Sequence, residues 1–389
     1  MIARPATSST LREINLRTVF DMIRAQAPVS RAEIARRSGI SKPTVSALLQ
    51  DLLDLGLVEE TVRDELGPTY GALFFAPRPQ AAHVLALDLG ARHLRGAVAD
   101  LEGHILLRRD APVEGLNAAQ MVDVARKLAE ELTTEAGLDR LAHAAVGVPG
   151  VVDRREGGDG RIWQALNIPG LDGFQAAEQF SRALGVPVTV ENDIHLAALG
   201  EQHRGCGREV ESFCFLSVGT GTGAGLVLDG RLHRGFAGAA GELDCALDPD
   251  AVEEQDPCAD ALLAYASRLL PEALSLGTEG LFDLARSGDE KALAVVDEEA
   301  RRVAGYLAPV AAVADVELVV LGGGIGLNGD LLLGRVRERL DARLPYPPRV
   351  EVSALGDAAV LAGAVSVATR QALEQILSAR FDGPAHHRP

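Results

Sequence analysis

Three glycine-rich turns, each directly after an apolar strand, constrain the fold of this chain more than any other feature. The segments VLALDLG (84–90) and FCFLSVG (213–219) lead into second strands, whereas ELVVLGGG (317–324) leads into a helix. A lone glycine run would be weak evidence, because many strand–helix turns need glycine only for close packing. Three such turns, with the acidic strand end VPVTVEND (186–193) between the first two, predict a duplicated α/β fold with a nucleotide cleft between two lobes.

The N-terminal part has a different pattern, three helices followed by a hairpin. Apolar residues at helical spacing predict a first helix over about 13–26. Ser30 and Glu33 have the spacing of a capping box for a second helix, which ends at Gly39. Ser41 caps a third helix, and the segment after it has strand–turn–strand character. Helix, short glycine turn, helix and hairpin are typical of a winged helix-turn-helix, which binds DNA.

The N-terminal end of the third helix is the predicted contact with DNA, because in such domains it enters the major groove. Residues 1–80 carry 10 Lys/Arg against 9 Asp/Glu, so the net charge of −17 resides in the rest of the chain. An acidic body is repelled by phosphate, and DNA must therefore contact the head. The alternative is a small helical docking domain without a role in DNA binding. The predicted DNA-binding residues are Arg31, Arg36, Arg37, Ser41, Lys42, Thr44 and Ser46.

Length, apolar content and cysteine count limit the number of domains, the cellular location and the disulfide content of the protein. At 389 residues the chain suits two or three domains. No apolar run approaches the roughly 20 residues that span a bilayer, and the N-terminus MIARPATSST lacks the apolar region of a signal peptide. We therefore expect a cytoplasmic protein with no membrane partner. Four cysteines do not make a disulfide framework in a chain of this size: Cys206, Cys214, Cys245 and Cys258.

Four short segments of the body carry a family resemblance: Glu191-Asn192-Asp193, residues 218–225 (VGTGTGAG), 240–242 (AGE) and 321–324 (LGGG). With them, residues 12–365 resemble the ROK family of repressors, open reading frames and sugar kinases. The resemblance is to its longer DNA-binding branch, which includes xylose repressors. It implies an actin-like ATPase fold of the sugar-kinase type and a dimeric protein that responds to a sugar.

The expected fold class is therefore α/β, a winged helix-turn-helix followed by a two-lobed, kinase-like body. The head is placed at 1–78 and the first lobe at 79–192. The second lobe is placed at 193–366, with the dimer interface, and a C-terminal helix and flexible tail at 367–389.

The resemblance also implies a sugar site. In the kinases, the aspartate that matches Asp193 is the general base that takes a proton from the sugar hydroxyl; in this chain we expect that role to be vestigial. Asn192 would bridge neighbouring hydroxyls, Glu242 would accept hydrogen bonds from others, and the turn at Gly150 would bring backbone to the ring. The alternative is that Asn192 and Asp193 cap the next helix, which is compatible with sugar binding.

The phosphate loops differ in how closely their sequences match the pattern of the family. The family's first loop has the form D-x-G-G-T-K, whereas this chain has DLGARH at 88–93. The substituted residues bring bulk where a nucleotide must approach the backbone, so efficient phosphoryl transfer is not expected. We predict that the protein is not an enzyme and that these loop residues are vestigial: Asp88, Gly90, Gly219, Thr220, Gly221, Gly323 and Gly324.

The family's metal site is reduced as well. The family pattern after A-G-E contains a histidine and three cysteines, of which only Cys245, in the histidine's place, and Cys258 have counterparts. Structural zinc needs four nitrogen or sulfur ligands, which two cysteines do not supply. We therefore predict no metal and no cofactor.

These features together predict a transcriptional regulator, a repressor that binds a palindromic operator as a homodimer or tetramer. A sugar in the cleft would close the lobes and change the spacing of the two heads. One alternative is an ATP-dependent sugar kinase, similar to hexokinase or glucokinase, with a DNA-binding head. Another is a DNA-binding protein whose body only dimerises.

Overall fold

The computed structural model describes residues 8–62, 73–155, 160–165, 167–246 and 252–381. The turn of the predicted hairpin and almost all of the predicted tail lie outside these ranges. Within them the chain forms a small N-terminal domain and a two-lobed α/β body, which confirms the predicted fold class. No helix in the described ranges is long and apolar enough to cross a membrane.

The N-terminal domain, or head, packs three helices on a three-stranded sheet of order β1-β3-β2. Its first helix begins earlier than predicted. The side chains of Ser30 and Ser41 accept the predicted N-cap hydrogen bonds, and Gly39 takes a left-handed φ of 70°. The elements are α1 (Ser8–Gln26), β1 (Val29–Ser30), α2 (Arg31–Ser38), α3 (Lys42–Asp54), β2 (Val58–Thr61) and β3 (Phe74–Pro77).

Only one of the two hydrogen bonds of the predicted capping box at the start of α2 is present. Ser30 accepts from the backbone N–H of Glu33, but the Glu33 carboxylate does not complete the box. Its Oε1 instead accepts from Nη2 of Arg37, 3.0 Å away. An acid and a base four residues apart on a helix face each other and form an ion pair, which competes with the return bond to the cap.

The first lobe is a sheet of order β10-β7-β4-β5-β6, in which β4, β7 and β10 are parallel and β5 and β6 are antiparallel additions. Helices α4 and α5 cover its outer face, and β8 and β9 form a separate ribbon. The elements are β4 (His83–Leu89), β5 (His93–Asp100), β6 (Ile105–Pro112), α4 (Ala118–Glu135), β7 (His143–Val148), β8 (Val151–Val152), β9 (Ile162–Trp163), α5 (Ala176–Leu184) and β10 (Val188–Asn192).

The second lobe repeats this order. Its sheet runs β13-β12-β11-β14-β15, again with three parallel strands and two antiparallel additions, which confirms the duplication predicted from the glycine turns. The elements are α6 (Asp193–Arg204), β11 (Phe213–Val218), β12 (Thr222–Leu228), β13 (Arg231–His233), α7 (Val252–Gln255), α8 (Ala259–Ser267), α9 (Ala273–Arg286), α10 (Glu290–Ala314), β14 (Leu318–Gly322), α11 (Gly323–Gly326), α12 (Gly329–Asp341), β15 (Arg349–Val352) and α13 (Ala359–Ala379).

Helices α6 and α13 form the layer between the two sheets. Helix α13 packs on β4 and β7 of the first lobe, α6 packs on β11 and β12 of the second, and the two helices pack against each other. Their backbones come close where small residues face each other: Gly200 lies against the carbonyl group of Ala359, and Gly363 against that of Leu196. This helix pair therefore connects the lobes.

The predicted domain boundary between residues 366 and 367 is wrong, because α13 runs through it without a break. The helix cannot be divided there, since its apolar face is buried along its whole length. Leu361 and Val365 near its start and Leu373 near its end belong to one apolar cluster. That cluster also contains Phe20 of α1, so the head and the body share a core through α13.

Candidate functional site

The carboxyl ends of the parallel strands of the first lobe bring the predicted sugar-site residues together. Strand β7 leads into the turn at Gly150, and β10 ends at Asn192. In the register of the sheet, Asp88 on β4 and Glu191 on β10 both pair with Gly147 on β7. Ligands of open α/β sheets bind outside this edge, and polar side chains converge there in this protein.

Asn192 caps α6, as the alternative interpretation of the sequence predicted. Its Oδ1 accepts from the backbone N–H of His195 at 2.9 Å, and its Nδ2 donates to the carbonyl oxygen of Gly150 at 3.0 Å. Both ends of the amide are therefore bonded within the protein. Its role towards a sugar hydroxyl stays a prediction, and its observed role is to fix the Gly150 turn against the start of α6.

Asp193 lies near two other carboxylates, those of Asp88 and Glu242, whose charges repel its own. Burial, the charge of Asp88 and, more weakly, that of Glu242 raise the pKa of Asp193 to about 7, against a hydrogen bond from the backbone N–H of Ile194. The pKa of Glu242 is also raised, by burial and then by the charge of Asp244. A polyol can satisfy such a group, because each hydroxyl donates to one carboxylate oxygen and can accept from another group.

Glu191 organises this edge of the cleft, a role that was not predicted from the sequence. Its Oε2 accepts from Nη2 of Arg154 at 3.0 Å and from Nε of Arg234 at 2.6 Å, and its Oε1 lies 3.3 Å from Nδ1 of His195. Burial would raise the pKa of Glu191, but the hydrogen bond from His195 and the two arginine charges together lower it to about 2. The carboxylate is therefore a permanent anion that holds segments from both lobes.

The same network positions Glu242. The Nε2 atom of His195 donates to the carbonyl oxygen of Ala240 at 3.0 Å, two residues before Glu242. Between them, Gly241 has a φ of 97°, and a Cβ there would lie 1.8 Å from the carbonyl oxygen of Ala224. Only glycine fits this position, which explains why the A-G-E segment has that residue.

Arg95, which was not predicted from the sequence to be part of the site, forms an ion pair with Asp88, the carboxylate of the first phosphate loop. Its Nη1 donates to Oδ2 of Asp88 at 3.0 Å. Burial raises the pKa of Asp88, and the Arg95 charge opposes that shift. The loop itself closes tightly, with the N–H of Gly90 donating to the carbonyl oxygen of His93, and Arg92 is exposed at its tip. An arginine thus pairs with Asp88 from two residues beyond the predicted loop.

The second and third glycine loops meet each other, as expected of one nucleotide site. A Cβ on Gly219 would lie 3.5 Å from the backbone nitrogen of Gly324. Thr220 and Gly221 are exposed beside them. Gly323 has a φ of 76° and no room for a Cβ next to Val218, so folding alone requires a glycine there.

The residues at the family's metal position do not fit a structural zinc ion. Cys245 is exposed, and Asp244 accepts a hydrogen bond from the hydroxyl of Tyr306 at 3.1 Å. Burial raises the pKa of Cys258 to about 11, which disfavours the thiolate that zinc requires. Within the described ranges, no three His, Cys, Asp or Glu side chains are grouped so that they could hold a metal ion. That the protein carries no metal stays a prediction.

The segment around Cys258 is instead fastened by Asp256. Its Oδ1 accepts from the hydroxyl of Thr222 at 3.0 Å and from the backbone N–H of Cys258 at 2.8 Å. Its carbonyl oxygen accepts from the buried guanidinium of Arg302 at 2.8 Å. These bonds tie the segment to β12 and α10.

The predicted DNA-binding residues lie together on the exposed side of α2 and α3. Lys42 and Thr44 are exposed in the first turn of α3, and Thr44 shares a hydrogen bond of 2.8 Å with the Ser41 hydroxyl. Arg31 donates to the hydroxyl of Ser46 at 3.2 Å, which joins the two helices. Arg36 and Lys42 line one shallow groove, whereas Arg37 is engaged by Glu33 and Gln26.

Opposite this surface, α3 is attached to the body through Asp51, another residue that sequence analysis missed. Asp51 is 3% exposed. Its Oδ2 accepts from Nη2 of Arg12 at 2.6 Å, and its Oδ1 accepts from Nη2 of Arg380 at 2.9 Å. Arg380 directly follows α13, so the predicted recognition helix is bonded to the helix that crosses the body.

Comparison with known proteins agrees with this architecture. Residues 84–371, well over half of the chain, match the ROK family. The chain belongs to the ROK family. Residues 18–65 match the MarR family, so this ROK protein carries a winged helix-turn-helix DNA-binding domain at its N-terminus. The family and the fold class predicted from the sequence are confirmed.

Relatives of this ROK protein include both regulators and kinases. The xylose repressor of Caldicellulosiruptor bescii is 23% identical, over 92% of this chain and 96% of its own length. The glucokinase of Thermotoga maritima is 30% identical, over 66% of this chain and 86% of its own length. A solved ROK family transcriptional regulator, described as a homologue of the E. coli MLC protein, has a TM-score of 0.80 and covers 95% of this chain at 23% identity. The match to the repressor covers nearly the whole chain, whereas the match to the glucokinase covers about two thirds of it.

Proposed function

We propose that this ROK protein is a sugar-responsive transcriptional repressor that binds a palindromic operator as a homodimer. A sugar or sugar derivative in the cleft of Asp193 and Glu242 is the effector. The observation that carries the proposal is a continuous series of contacts from that cleft to α3. Asn192 and Asp193 begin α6, α6 packs on α13, and Arg380 after α13 holds Asp51 on α3. The full-length similarity to xylose repressors supports it.

Two experiments test the function as a whole. Sequencing of genomic fragments captured by the purified protein identifies the operator, and the proposal expects inverted repeats one or more helical turns apart. A sugar panel is then screened by thermal shift, since a ligand that binds only the native state must raise the melting temperature. If no operator is enriched, the regulator proposal is wrong. If an operator is enriched but no sugar raises the melting temperature, the protein binds DNA and its body serves only for dimerisation.

Substitution of Lys42 by alanine is expected to weaken operator binding and to lower its dependence on salt. Lys42 is exposed at the start of α3 and makes no ion pair with a described residue, so it is free to neutralise a phosphate. Loss of one phosphate contact lowers the slope of log affinity against log salt by about 1. Fluorescence anisotropy over a salt series measures it, with Lys127→Ala in the body as the control. An unchanged slope would remove Lys42 from the DNA interface.

Substitution of Arg380 by alanine is expected to uncouple the effector from DNA binding. Asp51 would keep Arg12 but lose its bond to the body, so the direct bond between α3 and the end of α13 would be gone and only the packing of α1 on α13 would remain. Effector couplings are typically 5- to 150-fold, about 1–3 kcal/mol, and we expect the variant to retain less than about twofold. Operator affinity is measured with and without the stabilising sugar. The control is Arg349→Ala, an arginine on β15 whose carboxylate partners, Glu317 and Glu351, belong to the second lobe. A full sugar response in Arg380→Ala would reject this route.

The second candidate function is an ATP-dependent sugar kinase. The similarity to glucokinase and the meeting of the second and third glycine loops favour it. The pairing of Arg95 with Asp88 weighs against it, because the first-loop carboxylate is then unavailable to a metal–nucleotide complex. A coupled ATPase assay across the sugar panel decides between them: turnover near 1–100 per second, the usual range of kinases, would favour the kinase.

A further inference from the structure

A second cavity, apart from the cleft, lies between the head and the body. It has a volume of about 740 Å³ and is bounded by α1 of the head and by α6 and α13 of the body. Buried apolar side chains form part of its wall, among them Phe20 and Leu373. A cavity of this size is within the range of small-molecule sites, which is roughly 300–1,000 Å³.

Five arginines line this cavity, although the body is strongly acidic. Two come from the head and three from the body: Arg17, Arg24, Arg204, Arg208 and Arg370. The lining acids are fewer: Asp21, Glu102 and Glu374. The cavity is thus a positive site in a chain whose net charge is −17. Five guanidinium groups around one space repel each other unless an anion is bound between them.

The arginines are only partly neutralised by the protein. Arg17 pairs with Glu374 at 3.5 Å, and Arg204 donates to the backbone oxygen of Glu102 at 2.9 Å. The Arg24 guanidinium lies 5.9 Å from the centre of the Phe20 ring. The guanidinium groups of Arg208 and Arg370 form no ion pair or hydrogen bond with the residues that the structure describes, and both arginines line the cavity.

We propose that this cavity binds a phosphate-bearing small molecule, as a second ligand site in addition to the proposed sugar cleft. The planar fork of arginine matches phosphate oxygens in pairs, and a phosphate with two negative charges balances the excess of two positive charges in the lining. A neutral sugar gives these guanidinium groups no counter-charge. The bound anion bridges Arg17 and Arg24 of the head to Arg208 and Arg370 of the body. It therefore fixes the orientation of the head and changes operator affinity.

The test is calorimetric titration of the full-length protein with pyrophosphate at constant ionic strength, without DNA or sugar. We expect saturable binding, and at least about 100-fold weaker binding in Arg208→Gln/Arg370→Gln, since two charge-assisted hydrogen-bonding groups are lost. Neither side chain has a described partner, so the variant should melt as the wild type does. The matched control is Arg126→Gln/Arg182→Gln, which removes the same charge from exposed sites on α4 and α5 and should bind within twofold of the wild type.

Titrations with glucose 6-phosphate and with ATP then distinguish a phosphorylated sugar from a nucleotide as the source of the phosphate. No binding of pyrophosphate, or equal loss in both double variants, would overturn the proposal. So would weaker operator binding of Arg208→Gln/Arg370→Gln without any added phosphate, because the arginines would then serve DNA. Failure of this proposal leaves the sugar-response proposal intact, since the deciding pyrophosphate titrations contain neither sugar nor operator.

Discussion

Replacement of Asp193 by asparagine is expected to weaken sugar binding strongly and, at the same time, to stabilise the protein above pH 7. The two effects have one cause. Burial and then the charge of Asp88 raise the pKa of Asp193 from 3.8 to about 7. A carboxylate with a raised pKa is costly to the folded protein when it is ionised, and only a ligand that donates to it recovers that cost.

The sign of the stability effect follows from proton binding. Between pH 3.8 and about 7 the folded protein holds the Asp193 proton while the unfolded chain has released it, so the contribution of this group to stability falls as pH rises. Above pH 7 the ionised carboxylate destabilises the folded protein by its full amount, about 4 kcal/mol before solvent screening reduces it. Asparagine carries no such cost. The variant should therefore melt at a higher temperature than the wild type at pH 8, and by a clearly smaller margin at pH 5.

Sugar affinity should change in the opposite direction. A hydrogen bond to a charged group contributes about 1.5–3 kcal/mol, so the loss of the carboxylate should lower the affinity for the sugar by roughly 10- to 150-fold. In the wild type, affinity should rise with pH through 7 as Asp193 ionises. Calorimetry gives the affinity and differential scanning fluorimetry gives the melting curves over pH 5–8.5. Asp123→Asn, at an exposed position on α4, is the control. Wild-type affinity in Asp193→Asn would place the sugar elsewhere.

Local sequence signals predicted the elements and the segments at the site. Apolar spacing and the caps at Ser30 and Ser41 located the head helices, and the repeated glycine turns predicted the duplicated body. Asn192 and Asp193 could be located because a strand end and a helix start are short-range features. Asn192 and Asp193 lie near Glu242 only because the two lobes meet at the cleft. The family motif implies this proximity, whereas the spacing of the residues along the sequence does not.

The residues that were missed act through pairs that are distant in the sequence. Glu191 holds Arg154 and Arg234 from 37 and 43 residues away, and Asp51 holds Arg380 from 329 residues away. Each partner is an ordinary surface-type residue in its own segment, so no local pattern distinguishes it. The wrong boundary inside α13 has a similar cause. An amphipathic helix that covers β4 and also contacts α1 looks like a terminal appendage until its partners are known.

Replacement of Gly363 by alanine is expected to have the largest effect on stability. At the crossing of α13 and α6, a Cβ on Gly363 would lie 1.8 Å from the carbonyl oxygen of Leu196. Real Cβ atoms do not approach an atom so closely, and the obstacle is helix backbone rather than the end of a flexible side chain. The helices would have to separate along the layer that joins both sheets. Overpacking of this kind costs about 1–3 kcal/mol, and we expect the upper end or more.

Gly334 provides the matched control, because it is a glycine inside α12 with nothing within 4 Å of a Cβ. Alanine there should be neutral or stabilising by up to about 1 kcal/mol, through helix propensity. Urea unfolding of both variants measures the difference, and a wild-type midpoint for Gly363→Ala would show that the two helices can accommodate a methyl group at their crossing. The same contact bears on regulation. Since the two backbones are in direct contact at this point, we expect a displacement of α6 by a ligand at Asp193 to move α13 with it, and with α13 the Arg380 bond that holds α3.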